Sequence, residues 1–340
     1  MVDRPFFIVG TGRSGTTLMR AMVSAHSRIS VTPETNFVST WTRLYPWLDL
    51  RRDDHLAWFW RRYAASRPFR HMDLDGRAIL EKVQRDPDRR SYRGVFATLL
   101  EAWATREGVP RVGEKTPPHH AYARTLLEWF PDATIIWMVR DPRASIASFL
   151  KTPWARWSIA VHAEEWASSA VRASSWPSER VQVVRYEDLV ADPEPELRRV
   201  AALIGEDFEP GMLEHHRTDA VTTQNYDGWV KGHIEKVRQP LNTASIDKWR
   251  GELTPEQVGL IEAVAGDAMR LHGYTLAQPA LARSPRLQVR ARAELTAEAA
   301  NQAVRAANRR TLRAVRQRFV ELPLETAGVW VPDVHPRSTP

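Results

Sequence analysis

One stretch constrains this chain more than any other: an apolar run that enters a glycine turn, Phe6-Phe7-Ile8-Val9-Gly10-Thr11-Gly12-Arg13-Ser14-Gly15-Thr16-Thr17. A strand feeding a loop spelled Gly10-x-x-x-x-Gly15, with a helix behind it, presents backbone N–H groups and a helix N-terminus to an anion. The nucleotide-binding P-loop carries a lysine directly after its second glycine. Here Thr16 holds that position, and Thr17 adds a second hydroxyl. The pattern therefore predicts a phosphate-like ligand held without the lysine and magnesium pairing of the NTPases. Arg13, inside the loop, supplies positive charge.

The remaining pattern is that of an α/β fold. Residues 134–139 (TIIWMV) form a continuous apolar run and 181–184 (VQVV) a largely apolar one, as expected of strands in a buried parallel sheet. Residues 29–31 read as a short second strand, 18–25 as the helix behind the loop, and 154–174 as a further helix. The stretch 37–110 is rich in Trp, Arg and helical spacing, with no strong strand. It reads as a helical insertion with helices near 56–65 and 92–105. Its Trp41, Trp47, Trp58, Trp60 and Tyr63 are either the wall of an apolar or sugar-stacking pocket or the core of a helical lid. The expectation is a P-loop-like parallel sheet flanked by helices: a domain over 1–280, a helical extension over 281–320 and a tail over 321–340.

Composition narrows the function classes. With 43% hydrophobic and 26% charged residues, the 340-residue chain suits a globular protein. It has no cysteine, which excludes disulfides and thiolate metal sites. The N-terminus lacks a signal-peptide pattern, and no apolar stretch nears the ~20 residues that span a bilayer, so a soluble, cytoplasmic protein is expected. Six lysines stand against 42 arginines, a skew typical of a GC-rich bacterial genome. The net charge of +7 is uneven: residues 283–318 hold ten arginines and two glutamates, a local +8, and the rest of the chain sums to −1. The basicity therefore belongs to the extension and says little about the ligand of the body. Ser284-Pro285 reads as N-cap and first turn of a helix running to about Phe319, ~50 Å long. Val304, Leu312, Val315 and Phe319 give it a thin apolar stripe. It is a solvated or domain-packing helix, a subunit-contact arm for a homo-oligomer, or an arm for an anionic membrane or polymer.

A second anion signal follows the 134–139 strand, in Arg140-Asp141-Pro142-Arg143-Ala144-Ser145-Ile146-Ala147-Ser148. Arg140 offers a planar fork to phosphate oxygens, and Ser148 adds a hydroxyl from the next helix. Arg185 and Tyr186 follow the 181–184 strand. In open parallel sheets, ligands bind beyond the carboxyl ends of the strands. Two anion pockets on one sheet edge suggest a nucleotide phosphorylated at two positions. Taken alone, Thr32-Pro33-Glu34 reads as N-cap, N1 and N2 of a helix with Glu34 favouring the helix dipole. Lys115, taken alone, reads as a surface residue in a loop.

Together these segments resemble the sulfotransferases that use 3′-phosphoadenosine 5′-phosphosulfate (PAPS), in the branch of the protein-tyrosine sulfotransferases and related bacterial enzymes. The motifs are GTGRSGTTLMRAMVSAH (10–26), TPET (32–35), GEKTP (113–117), MVRDPRASIAS (138–148), VRYEDLV (184–190) and PLNTASIDKW (240–249). The resemblance covers roughly residues 5–275. It implies sulfuryl transfer from PAPS to an acceptor hydroxyl on a small molecule, glycan or peptide, with no metal. Arg13, Ser14, Gly15, Thr16 and Thr17 would hold the 5′-phosphosulfate, and Arg140 and Ser148 the 3′-phosphate. Tyr186 matches a position near the nucleotide; Asn242 and Lys248 match the segment that closes over it. Glu34 would be the general base, and Lys115, with Arg13, would stabilise the transition state. The small-molecule branch of the family has a catalytic histidine two residues after the lysine of its Lys-Thr-His motif. Here that position is Pro117, with His119 and His120 close by as rival bases. Two other readings stay open. One is a P-loop kinase or NTPase, against which Thr16 speaks. The other is a non-catalytic binder of anionic polymers through the arginine-rich segment. No nucleic-acid-binding motif is present beyond charge.

Overall fold

The computed structural model of the chain describes residues 4–153, 155, 157–177, 179–218 and 235–320, with side chains to 307. The expected tail and Trp154 lie outside the described residues, and the side chains of the stripe residues Leu312, Val315 and Phe319 lie outside the described side chains.

Strand β1 (Phe6–Gly10) is buried along its whole length. Its alternation splits the core in two. Phe7 and Val9 join Ile135 and Trp137 in one cluster, while Phe6 and Ile8 join Ile136, Met138, Met19 and Met22 in the other. Four further strands follow: β2 (Ile29–Thr32), β3 (Arg111–Lys115), β4 (Thr134–Val139) and β5 (Val181–Arg185). They form one sheet, ordered β2-β3-β1-β4-β5, with every pairing parallel. Helices α1 (Thr16–Ser24) and α10 (Pro193–Ile204) contribute to the second cluster. The fold is thus the expected α/β sheet flanked by helices.

Two elements differ from expectation. β3 lies between β1 and β2, where no strand was expected. Of its five residues only Val112 is a large apolar one, so hydrophobic pattern does not announce it. Lys115 is consequently the buried last residue of a strand and not a surface loop residue. The second difference is at Thr32-Pro33-Glu34, which starts no helix. Thr32 ends β2, residues 33–36 are irregular, and a π-helical turn begins only at Phe37 (Phe37–Thr42).

The insertion is helical: α2 (Asp53–Ala64), α3 (Arg67–Met72), α4 (Gly76–Arg85) and α5 (Tyr92–Glu107). Its aromatics build a core. Phe37 stacks on Phe96 with ring centroids 5.0 Å apart and meets Tyr63 edge-on at 5.2 Å. Trp58, Trp60 and Tyr63 are buried, and Trp41 and Trp47 pack against the same cluster. Further helices are α6 (Ala123–Trp129), α7 (Pro142–Leu150), α8 (Ile159–Ser174) and α9 (Tyr186–Ala191). Asp141 caps α7, accepting the Arg143 N–H at 2.8 Å, and Pro142 opens its first turn.

The last described helix, Pro285–Val320, begins as its sequence suggests, with Ser284 Oγ accepting the Leu287 N–H. Its opening turns dock on the body: Leu287 and Ala291 are buried, and Glu294 accepts the Ala160 N–H at the start of α8. Val304 is exposed. Among the described residues no helix is long and apolar enough to cross a membrane.

Candidate active site

Parallel pairing brings the carboxyl ends of the five strands to one edge. Ile8 pairs with Lys115, Val9 with Trp137, Thr32 with Glu114 and Val139 with Arg185. The residues just beyond those ends line a single cleft of about 1040 Å³, roomy enough for a nucleotide and part of an acceptor.

The loop after β1 is shaped by its backbone. Gly15, the N-cap of α1, sits at φ +95° and gives the helix no side-chain cap, and the helix start at Gly15, Thr16 and Thr17 lines the cleft. Arg13 also adopts a positive φ, +71°, uncommon for a non-glycine residue. That turn delivers its Nε to Ser148 Oγ at 3.1 Å. Thr16 and Thr17 line the cleft. Ser14 is placed otherwise: it is wholly buried, and its hydroxyl and N–H both donate to Thr11 O, at 2.8 and 3.3 Å. Its side chain serves the turn.

Arg140 comes off the end of β4. Its Nη1 donates to Arg13 O at 3.3 Å and its Nη2 to Ser245 O at 2.8 Å, and its guanidinium lies 4.2 Å over the Tyr186 ring. The Tyr186 hydroxyl is hydrogen-bonded to Ser245 Oγ at 2.8 Å. Asn242 and Lys248, on the same late segment, line the cleft and are exposed. The two arginines crowd each other. Burial pushes the Arg13 guanidinium down to about 10, and the nearby Arg140 charge adds to that effect. Arg13 still carries its charge at neutral pH. Two like charges pressed together in a partly desolvated cleft fit an anion, whose charge relieves their repulsion.

Opposite the loop, Lys115 Nζ donates to Glu34 Oε1 at 2.6 Å and to Thr17 Oγ1 at 3.4 Å. Burial lowers the Lys115 ammonium below its ordinary range, and the Glu34 carboxylate offsets only part of that shift. The Glu34 side chain is 44% exposed to the cleft while that of Lys115 is 5% exposed, so the carboxylate is the accessible member of the pair.

His119 and His120 do not line the cleft. His119 is wholly buried: its Nε2 accepts the Val38 N–H at 3.2 Å, leaving Nδ1 to donate to Glu114 Oε2 at 2.9 Å. His120 is buried, and burial, reinforced by Arg172 and His119, pushes it down to about 4. The insertion tryptophans and Tyr63 also lie off the cleft. Arg20, Arg67, His71, Ser245 and Trp249 line it in addition. Of these, Arg20, Ser245 and Trp249 lie inside the quoted motifs without having been singled out, Arg20 standing four residues after Thr16 and so on the same face of α1, while Arg67 and His71 carried no sequence signal. Among the described residues no cluster of His, Asp or Glu has the makings of a metal site.

Residues 5–210 match the model of the sulfotransferase family. Protein-tyrosine sulfotransferase A of Caenorhabditis elegans is 25% identical over 289 residues, covering 79% of this chain and 67% of the relative. The protein-tyrosine sulfotransferase of Drosophila melanogaster is 25% identical over 272 residues, covering 74% and 48%. The chain thus spans half to two-thirds of the length of these relatives. The sulfotransferase domain from the Synechococcus PCC 7002 olefin synthase shares the fold, with a TM-score of 0.57 and 23% identity over 81% of this chain and 97% of that one. The chain belongs to the sulfotransferase family, and the relatives it is similar to include protein-tyrosine sulfotransferases.

Proposed function

We propose that this sulfotransferase takes its sulfuryl group from PAPS and passes it in line to an acceptor hydroxyl, with Glu34 as general base and without a metal. One observation carries the reading. A single cleft holds two abutting arginines at a helix N-terminus and, across from them, an accessible carboxylate paired with a buried lysine.

The donor's chemistry is a sulfuryl group on a phosphate leaving group, with a second phosphate on the ribose. Arg13, Thr16, Thr17 and the free N–H groups of α1 suit the 5′ end, and Arg140 and Ser148 suit the 3′-phosphate. Tyr186 holds the Arg140 fork from below, and Asn242 and Lys248 line the same cleft. Lys115 and Arg13 set fixed positive charge where the leaving oxygen becomes anionic. Glu34 Oε1 is anchored by Lys115, while Oε2 has no partner among the described residues and receives the acceptor proton as the new sulfur–oxygen bond forms. The acceptor shares the cleft with Asn36 and the α3 residues Arg67 and His71, which line it along with Glu34. Because residues 33–36 form no helix, a helix-dipole role for Glu34 has no structural basis.

Glu34→Gln tests this. Labelled PAPS is offered with a phenol, a tyrosine peptide and a sugar, and the acceptor with the fastest wild-type turnover is kept. Turnover should fall by ~10²–10⁴, while binding of PAP, the desulfated product, stays at the wild-type level. A Glu34→Gln protein as fast as wild type would overturn the base assignment.

A further inference from the structure

Glu34 sits where neither sheet nor helix fixes the backbone. The β2–β3 ladder ends with Thr32 opposite Glu114, and the π-helical turn starts at Phe37. Residues 33–36 between them have no regular structure. Something else must hold the carboxylate against Lys115.

That something is a set of side-chain bonds reaching across from β3 and the turn after it. The Glu114 carboxylate, wholly buried, accepts from Thr35 Oγ1 at 2.8 Å and from the Thr35 N–H at 3.3 Å. It also accepts from the Thr116 hydroxyl and from His119 Nδ1 at 2.9 Å. Thr116 Oγ1 in turn accepts the Asn36 N–H at 3.2 Å, and His119 Nε2 accepts the Val38 N–H at 3.2 Å. Each rung ties one residue of the 35–38 segment to one residue of 114–119. Glu34 and Lys115 are the chain neighbours of the first rung, Thr35 and Glu114. Four donors converge on Glu114, and an ionised carboxylate, an acceptor with about four lone-pair sites, matches them all. A glutamine there would turn its own N–H groups against at least one of these donors.

We propose that Glu114, with Thr35 and His119, is the positioning unit of the active site: it touches no substrate and sets the distance and aim of Glu34 relative to Lys115. This rests on the reading that Glu34 takes the acceptor proton. It also gives His119 a role, since the imidazole bridges Glu114 to the start of the π-helical turn and takes no part in proton transfer. Burial pushes the Glu114 carboxyl up, and the His119, Thr116 and Thr35 donors outweigh it and hold the group below its ordinary range. Glu114 therefore keeps its charge at neutral pH.

The test combines Glu114→Gln, Thr35→Val and Thr35→Ser with Glu34→Gln, using the same acceptor. A base displaced by an ångström costs on the order of a hundredfold. Glu114→Gln should therefore slow single-turnover transfer about tenfold to a hundredfold, with PAP affinity within about twofold of wild type. Amide hydrogen exchange at residues 35–38 of the ligand-free protein should rise. Thr35→Val should do the same more weakly, and Thr35→Ser, which keeps the hydroxyl, should restore the rate. Added to Glu34→Gln, the Glu114→Gln change should cost nothing more, because the group it positions is already gone. A normal rate in Glu114→Gln, or losses that multiply in the double variant, would overturn the positioning role. A fast Glu34→Gln protein would instead overturn the base assignment beneath it. If Glu114→Gln does not fold, the Thr35 pair decides: equal rates in Thr35→Val and Thr35→Ser overturn the proposal.

Discussion

Adding one methyl group at Gly15 should test how the loop, the Tyr186 ring and Arg140 depend on one another. Gly15 adopts φ +95°, and a Cβ built there lies 2.5 Å from Tyr186 Cδ2 and 3.2 Å from Cε2. Comfortable carbon–carbon contacts are about 3.5–4.0 Å, so the ring must retreat by about an ångström. It is not free to do so, because Arg140 lies 4.2 Å over its face and its hydroxyl is bonded to Ser245 Oγ. The left-handed backbone costs an alanine ~1–2 kcal/mol, and overpacking a held side chain adds ~1–3 kcal/mol. The sum, ~2–5 kcal/mol, corresponds to a fall in Tm of roughly 4–20 °C. Displacing the ring also moves the Arg140 fork, so PAP affinity should fall further than that of adenosine diphosphate, which has no 3′-phosphate. Thermal melts of wild type and Gly15→Ala, alone and with each nucleotide, measure both effects. Gly15→Ala/Tyr186→Ala should recover the part of the Tm lost to the clash but not the PAP affinity. A Gly15→Ala protein with wild-type Tm and wild-type PAP affinity would refute the reasoning.

Arg140→Ala should erase the preference for PAP over adenosine diphosphate in ligand-induced Tm shifts; a preference that survives places the 3′-phosphate elsewhere. Turnover should survive EDTA with little loss, since Arg13 and Lys115 supply the charge, and an absolute magnesium requirement would contradict that. His120 and His162, both pushed from 6.5 down to about 4 by burial, should make the fold acid-sensitive. Between pH 6.5 and 4 the unfolded chain takes up protons that the buried rings refuse, so stability falls as pH drops through that window, by at most about 3 kcal/mol per ring. Urea melts at pH 7, 5.5 and 4.5 measure the slope, which His120→Gln should flatten; an unchanged slope shows that His120 is not the group responsible.

Much of the molecule was legible because its signals are local. The strand-to-loop pattern at 6–17, the short segment at 29–31 and the largely apolar stretches at 134–139 and 181–184 set four of the five strands and the sheet edge that lines the cleft. The start of the last helix followed from Ser284-Pro285. β3 was hidden because it is stabilised by position more than by composition: lying between β1 and β2, it can end in charged residues that the site itself satisfies. Thr32-Pro33-Glu34 misled because a capping pattern and an irregular cleft-lining segment use the same residue types. Ser245, bonded to both Arg140 and Tyr186, sits inside the 240–249 motif, but nothing local singles it out, since its bond to Arg140 spans more than a hundred residues. The same holds for Arg67 and His71, which reach the cleft only because α3 is packed over it.

The departure from the nucleotide-binding P-loop is best understood as a relocation of charge. Where that loop places a lysine, this chain has Thr16, and the lysine arrives instead from the end of β3, with Nζ 3.4 Å from Thr17 Oγ1. A lysine carried by the loop could only face the ligand. Lys115, coming from the neighbouring strand, faces the loop on one side and Glu34 on the other. In the proposed reaction this single ammonium both stabilises negative charge growing on the leaving oxygen and aims the carboxylate assigned the acceptor proton. A sulfuryl group carries less negative charge than a phosphoryl group, so fixed cations of this kind suit its transfer. The arrangement depends on β2 and β3 being neighbours in the sheet, because only that adjacency brings residue 34 beside residue 115.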